Sequence, residues 1–125
     1  MNDALIRLAL IIIAAITVVS GLLQLVAPGF VLGLIGADTG ASSQHLFATV
    51  GMFMFITGAM FLQALVTRST ERAIPLWISV QKLAAAALVG WGIAKGLFGW
   101  TAGAVAAFDF VTGVLAWVFL TRMPR

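Results

Sequence analysis

Four stretches of this chain, residues 4–26, 45–66, 74–93 and 101–121, are apolar for long enough to cross a lipid bilayer. A spanning helix needs about 20 residues, and in hydrocarbon every backbone amide must find its partner within the segment. Only helices or a closed barrel meet that condition, and runs of this length are helical. The 125 residues are 62% apolar and 9% charged, with a mean hydropathy of +1.15. The predicted fold is therefore all-α: a polytopic membrane protein with one domain, a four-transmembrane-helix bundle. Little chain lies between the spans, so activity is expected within or beside the bilayer. Arg7 ahead of an apolar run resembles a signal peptide, but that run is longer than a signal h-region and ends in Ala27-Pro28-Gly29. It is read as a retained first helix.

The few cations are arranged by side. Arg7, Arg68, Arg72, Arg122 and Arg125 fall on one side of the predicted topology and Lys95 alone on the other. The positive-inside rule then puts both termini and the second loop in the cytoplasm, as expected for a bacterial inner-membrane protein. Trp77 and Trp117 fall near the cytoplasmic helix ends and Trp91 and Trp100 near the outer ends, where interfacial anchors belong. The net charge is +3 and the pI about 10.8, but no Lys/Arg run with interleaved aromatics could grip phosphates. Nucleic acid is excluded as a partner. Membrane lipid is expected, together with a larger membrane complex or a second copy of the chain. There is no cysteine, hence no disulfide, thiolate metal site or cysteine nucleophile.

The first loop is unusual. Pro28-Gly29 is expected to end the first helix, because proline cannot extend the hydrogen-bond ladder. Residues 30–36 then stay apolar for about two turns, too short to cross, which fits an interfacial or re-entrant segment. The alternative is a continuation of helix one past a proline kink. Ser42, Ser43 and Gln44 offer a cap for the second helix. Gly92 with Gly96, Gly99 with Gly103, and the alanines of 84–87 with Gly90 have the small-residue spacing that brings membrane helices close, within one chain first and between copies second.

Two opposite charges stand inside the apolar spans, Lys82 and Asp109. Each costs roughly 2.5–3.5 kcal/mol at a bilayer centre on insertion scales, so they are expected to pair or to line a polar site. At 1.5 Å per residue they lie roughly 12 and 18 Å from the cytoplasmic boundary, an offset of about 6 Å that a lysine stem can bridge. The short third loop makes their helices antiparallel neighbours. Such a pair is either a staple between two helices or the floor of a proton or substrate site; snorkelling of Lys82 is a third option. Thr17, Ser20 and Gln24 share a face of helix one and could join Lys82 and Asp109 in a small polar interior. Ser79 and Gln81 flank Lys82, and Thr112 lies one turn beyond Asp109; serine and threonine in such helices often bond their own carbonyls.

Other chemistry is sparse. The acids are Asp3, Asp38, Glu71 and Asp109, and the one histidine, His45, sits near the start of helix two. No serine elbow, phosphate loop, carboxylate pair or metal-ligand set is present, so no catalytic residue, metal or cofactor is expected. Met52, Phe53, Met54, Phe55, Met60 and Phe61 make helix two bulky, a wall for packing or for an apolar cavity.

With four helices of this length, Pro28-Gly29 closing the first, an outer apolar segment ending at Gly36, Lys82 in the third and Asp109 in the fourth, residues 5–120 resemble the DoxX-like group of small bacterial membrane proteins. That group includes subunits of quinone-linked oxidoreductases, so the resemblance implies an accessory or small-molecule-handling role beside a larger membrane system. The small multidrug transporters are similar in size, but they depend on an acidic residue in helix one, where residues 4–26 have none. The expected function is a non-enzymatic accessory or scaffold subunit with a lipid- or quinone-sized apolar cavity. The alternative is a proton-coupled carrier of a small amphipathic solute that uses Lys82 and Asp109.

Overall fold

The computed structural model describes residues 2–125 as five helices joined by short turns. They are α1 (Asp3–Val26), α2 (Pro28–Leu34), α3 (Ala41–Val66), α4 (Ala73–Ala94) and α5 (Ala102–Thr121). All but α2 are long and apolar enough to cross a membrane, and each matches a span expected from the sequence. α1 packs along α3 and α4 along α5; the two pairs join through α1 against α5 and α3 against α4. Four spans in sequence put the N-terminus, the α3–α4 turn and the C-terminus at one end of the bundle. The other end carries α2 and the α4–α5 turn.

α1 sets the character of the interior. Its buried residues Ile6, Leu10, Ala14, Thr17, Gly21 and Gln24 recur every three or four positions and form one stripe. The stripe is bulky and apolar near the termini and becomes small and polar toward α2. At the termini end Ile6, Leu10 and Ala14 pack with Phe61 and Leu65 of α3, Ile78 of α4, and Ala116 and Phe119 of α5. In lipid this layer is held by close packing rather than by exclusion of water. Cations finish its helices. Arg7 donates to the Leu65 carbonyl at 2.9 Å, and Arg72 to the carbonyls of Met123 at 2.9 Å and Leu120 at 3.2 Å. Leu65 and Leu120 lie in the last turns of α3 and α5, where carbonyls lack the regular partner four residues on, and Met123 lies just beyond α5.

Two glycines bring α1 and α3 into backbone contact. A Cβ on Gly21 would stand 2.8 Å from the Gly51 oxygen, and one on Gly51 would stand 2.8 Å from the Gly21 oxygen. Gly58, one heptad beyond Gly51, faces Thr17 and Val18 at 3.2 Å. Gly113 presses against Leu83 in the α4–α5 seam, where Ser79 Oγ donates to the Gly113 carbonyl at 2.8 Å. Of the glycine pairs singled out by spacing, only Gly103 faces a neighbouring helix, where a Cβ would stand 4.0 Å from Ile93 of α4. Gly92 receives the Phe98 ring, and Gly96 is the left-handed residue (φ +75°) that ends α4. Gly99 and Gly103 lie in and just after the α4–α5 turn, Gly99 against Ile35 and Gly36. A Cβ on Gly90 would have no neighbour within 4 Å, and Ala84 and Ala87 are exposed while Ala85 and Ala86 are half-buried. Spacing identifies which residues share a face, but not which face meets a neighbour.

Two boundaries also differ. The break after helix one falls at Ala27 (φ −136°, ψ 59°), and Pro28 opens α2 rather than closing α1. Proline at a first helical position has no amide to leave unpaired, and its φ is already helical. The apolar segment after the break is thus carried by a separate short helix, α2, which ends at Leu34, and is not a kinked continuation. α3 begins at Ala41, and Ser42, Ser43 and Gln44 lie inside it rather than capping it. Among the described residues no side chain caps the first amides of α3; Asp38 instead braces the turn before it, its Oδ2 accepting from Ser43 Oγ at 2.7 Å and from the Gly40 amide at 3.3 Å. Those bonds favour the charged carboxylate and lower its pKa, Ser43 contributing most. A depressed carboxyl supports folding above its unfolded pKa, and that support goes as pH falls through the folded value. Acidification is therefore expected to loosen the start of α3. The protection of the Gly40 amide, measured against intrinsic exchange at each pH, should fall as Asp38 is protonated, and Asp38→Ala should lack that protection at every pH.

Trp77, Trp91, Trp100 and Trp117 all point outward, 50% to 86% exposed. Trp77 and Trp91 are about 21 Å apart along α4 at helical rise, two levels that suit the two membrane interfaces.

Candidate functional site

Midway along the bundle the interior becomes polar. Lys82 Nζ of α4 stands 3.1 Å from Asp109 Oδ1 of α5 and 3.5 Å from Thr17 Oγ1 of α1. Both charged residues are buried, with side-chain exposures of 8% and 12%. Counted from Ala73 and back from Thr121, the two Cα atoms differ in depth by about 5 Å, which the lysine stem spans. Lys82 also stands 5.6 Å from the Phe108 ring centroid, so the aromatic face one residue before Asp109 adds a weaker cation–π contact. The expected pair is formed, and it ties three helices rather than two.

The pair is the floor of a cavity of about 320 Å³ that runs between α1 and α5 toward the α2 end. Ile16, Leu23 and Val105 form its walls, Val31 and Leu34 of α2 lie across its outer end, and Thr17, Ser20, Gln24, Lys82 and Asp109 supply its polar side. Ile16, Leu23, Leu34 and Val105 are each roughly half exposed. On a membrane-spanning helix that exposure faces lipid, so the mouth opens sideways into the bilayer.

The short helix across the outer end is held by the α4–α5 turn. The Gly99 amide donates to the Ile35 carbonyl at 2.7 Å, and Thr101 Oγ1 donates to the Leu34 carbonyl at 2.7 Å. The turn thus closes the end of α2 with two short bonds. Gly36 turns with φ +67° and sits against the Gly99 backbone, which leaves no space for a side chain.

The polar residues grouped from the sequence separate into two sets. Lys82 donates to both Asp109 and Thr17, while Thr17 Oγ1 donates to its own Ile13 carbonyl at 3.0 Å. Gln24 lines the same cavity farther out but commits its amide to the Phe47 carbonyl of α3 at 3.0 Å. Ser20 is exposed on the cavity side. Gln81 turns toward Thr57 at 3.5 Å, where a space of about 10 Å³ behind Lys82 is the size of a single water. Ser79 and Thr112 satisfy backbone carbonyls and lie outside the site. His45 is exposed at the α2 end, and among the described residues no three histidine, acidic or cysteine side chains gather as a metal would need. Of the bulky residues of α3, only Met54 borders the cavity; Phe61 is in the core.

Sequence reasoning missed Val31, Leu34, Val105 and Phe108. A signal was present for the first two, since three-residue spacing puts them on one face of a two-turn helix. For Val105 it was the four-residue spacing to Asp109 along one face of α5; Phe108, the residue before Asp109, carried none.

Chemically, a confined ammonium–carboxylate pair under an apolar chamber can hold a polar head by hydrogen bonds while the chamber receives hydrocarbon. Comparison with family models, with curated proteins and with solved structures gave no match.

Proposed function

We propose that this chain is a non-enzymatic membrane subunit that holds one small amphipathic molecule drawn from the bilayer. One observation carries this reading: the chamber between α1 and α5 opens toward lipid and ends on the Lys82–Asp109 pair. About 320 Å³ is at the small end for a bound organic molecule. It suits a ring or head group with its first carbons, the rest of a tail lying in the open groove. The head bears a carbonyl or hydroxyl, which accepts from Lys82 or donates to Asp109. Quinones and single-chain lipids both have that form, in keeping with the DoxX-like layout. The concentration of arginine at the termini end supports an orientation with both termini in the cytoplasm of a bacterial inner membrane. The absence of a catalytic residue set in the sequence supports an accessory role beside a larger membrane system.

The test is binding by the purified chain. A short-chain quinone and a lysophospholipid, added separately, should raise the melting temperature, since a ligand at a hundred times its Kd stabilises by about 2.7 kcal/mol. Val105→Trp fills the chamber from its rim and should abolish the shift while leaving the fold intact. An equal shift in wild type and Val105→Trp, or no shift with either compound, defeats the proposal.

A second reading, a proton-coupled carrier, draws on the exposure of Asp109 to the same chamber. It requires Asp109→Asn to abolish proton-driven uptake in vesicles. Unchanged uptake removes it.

A further inference from the structure

A second cavity, of about 630 Å³, opens at the termini end, far from the Lys82–Asp109 chamber. Three arginines line it: Arg7 from the first turns of α1, Arg68 from the α3–α4 turn and Arg122 just after α5. Among the described residues Asp3 is the one acid on its wall, against these three arginines. The Asp3–Arg122 contact, at 2.9 Å, is exposed on both sides (73% and 43%), where an ion pair is worth little. Arg7 is fixed from behind, donating to the Leu65 carbonyl and stacking on Phe119 at 5.1 Å. A guanidinium has five N–H donors, so the others stay available.

Arg68 is the telling residue. It occupies the left-handed position that ends α3, with φ +56°. Its amide bonds the Leu65 carbonyl at 3.4 Å and the next amide, Ser69, bonds Ala64 at 2.9 Å, the paired closure of a helix C-terminus. Glycine is the residue that adopts this conformation without strain. At the other two positive-φ positions of the described chain, Gly36 and Gly96, it is glycine that stands there. Arginine at the third accepts backbone strain and puts a guanidinium on the cavity rim. No hydrogen bond or ion pair engages that guanidinium within the described chain.

The lower wall is apolar. Ile11 and Leu8 of α1 continue downward from Arg7, and Leu8 is 53% exposed on the lipid-facing side of the helix. The cavity is thus cationic where the interface lies and hydrocarbon-lined where the bilayer begins. We infer that it is a binding site for the phosphate of an anionic phospholipid, with Arg68 and Arg122 on the phosphate, Arg7 beneath them and an acyl chain along Leu8 and Ile11. Phosphate oxygens match the guanidinium fork, and basic pockets at this level of membrane proteins suit such head groups.

The experiment is native mass spectrometry of the full chain released from detergent micelles, with phosphatidylglycerol, phosphatidylcholine or inorganic phosphate added. One phosphatidylglycerol should stay bound. Phosphatidylcholine, whose choline cation meets the arginines, should not, and inorganic phosphate in excess should not displace the bound lipid. Arg68→Gly should lower lipid retention about fivefold, the effect of one interfacial cation. It should melt no lower than wild type in lipid-free detergent, because glycine relieves the strained position. Arg122→Gln should lower retention similarly. Equal retention of phosphatidylcholine, or wild-type retention by both variants, overturns the inference. Displacement by inorganic phosphate at equal concentration overturns the lipid assignment and gives the site to a soluble phosphate compound.

Discussion

Lys82→Ala and Asp109→Ala are each expected to destabilise the bundle by about 3 kcal/mol, the lower end of the cost of removing half of a buried ion pair. Either change strands a charge at a site no more than 8% exposed by residue. Two features hold the cost at that lower end. Thr17 Oγ1 remains 3.5 Å from Lys82 when Asp109 is gone, and the chamber gives Asp109 a path to a polar guest when Lys82 is gone. The double variant Lys82→Met/Asp109→Leu replaces both charges with apolar groups of similar bulk. It should recover most of the lost stability, since buried pairs exchanged for well-packed apolar residues are often neutral. Thermal unfolding in detergent reads the stability, and the quinone and lysophospholipid shifts read the site. The expected combination is a double variant that is folded and does not bind. A double variant that binds like wild type means the pair is a staple between helices and nothing more.

Gly51→Leu should cost as much or more, by a different route. Its Cβ alone would stand 2.8 Å from the Gly21 oxygen and from the Leu25 nitrogen. Those atoms are backbone, so no rotamer change relieves the overlap, and α1 and α3 must separate. Overpacking typically costs 1–3 kcal/mol where side chains can shift, so about 3 kcal/mol is the expected minimum here. Separation also stretches the Gln24–Phe47 bond, now 3.0 Å, and draws Met54 away from the chamber it borders. Gly90→Leu is the matched control. With nothing within 4 Å of its Cβ, it should stay within about 0.5 kcal/mol of wild type. Unfolding of both variants in a denaturing-detergent titration checks the contrast. Equal midpoints would mean that α1 and α3 do not meet through Gly21 and Gly51.

The two experiments probe different halves of one arrangement. Close approach at Gly21 and Gly51 holds α1 on α3 at the level where the stripe of α1 turns polar. The Lys82–Asp109 pair holds α4 on α5 and reaches α1 through Thr17. Where α1 meets α5 beyond that point, small and polar residues leave the space that α2 covers. Function and packing therefore share residues, and the double variant is needed to separate them.

The four spans and the central charge pair are legible in the amino-acid sequence without any coordinates. Crossing a bilayer depends on a segment's own length and transfer energy, so each span can be read apart from its neighbours. The depth of Lys82 and Asp109 comes from counting residues at a fixed rise, and the high cost of an isolated charge makes their pairing the favoured outcome. The rest emerges only in the folded bundle: which glycines touch, which carbonyl Gln24 takes, that α2 lies across the α1–α5 opening, and that Arg7, Arg68 and Arg122 surround one cavity. In lipid no hydrophobic force sorts helix faces, and association rests on shape matched between segments far apart in the chain. Gly92 and Gly96 have the spacing but face a phenylalanine ring and open space, whereas Gly21 and Gly51, thirty residues apart, fit one another. That complementarity belongs to two surfaces at once, and one segment read alone does not contain it.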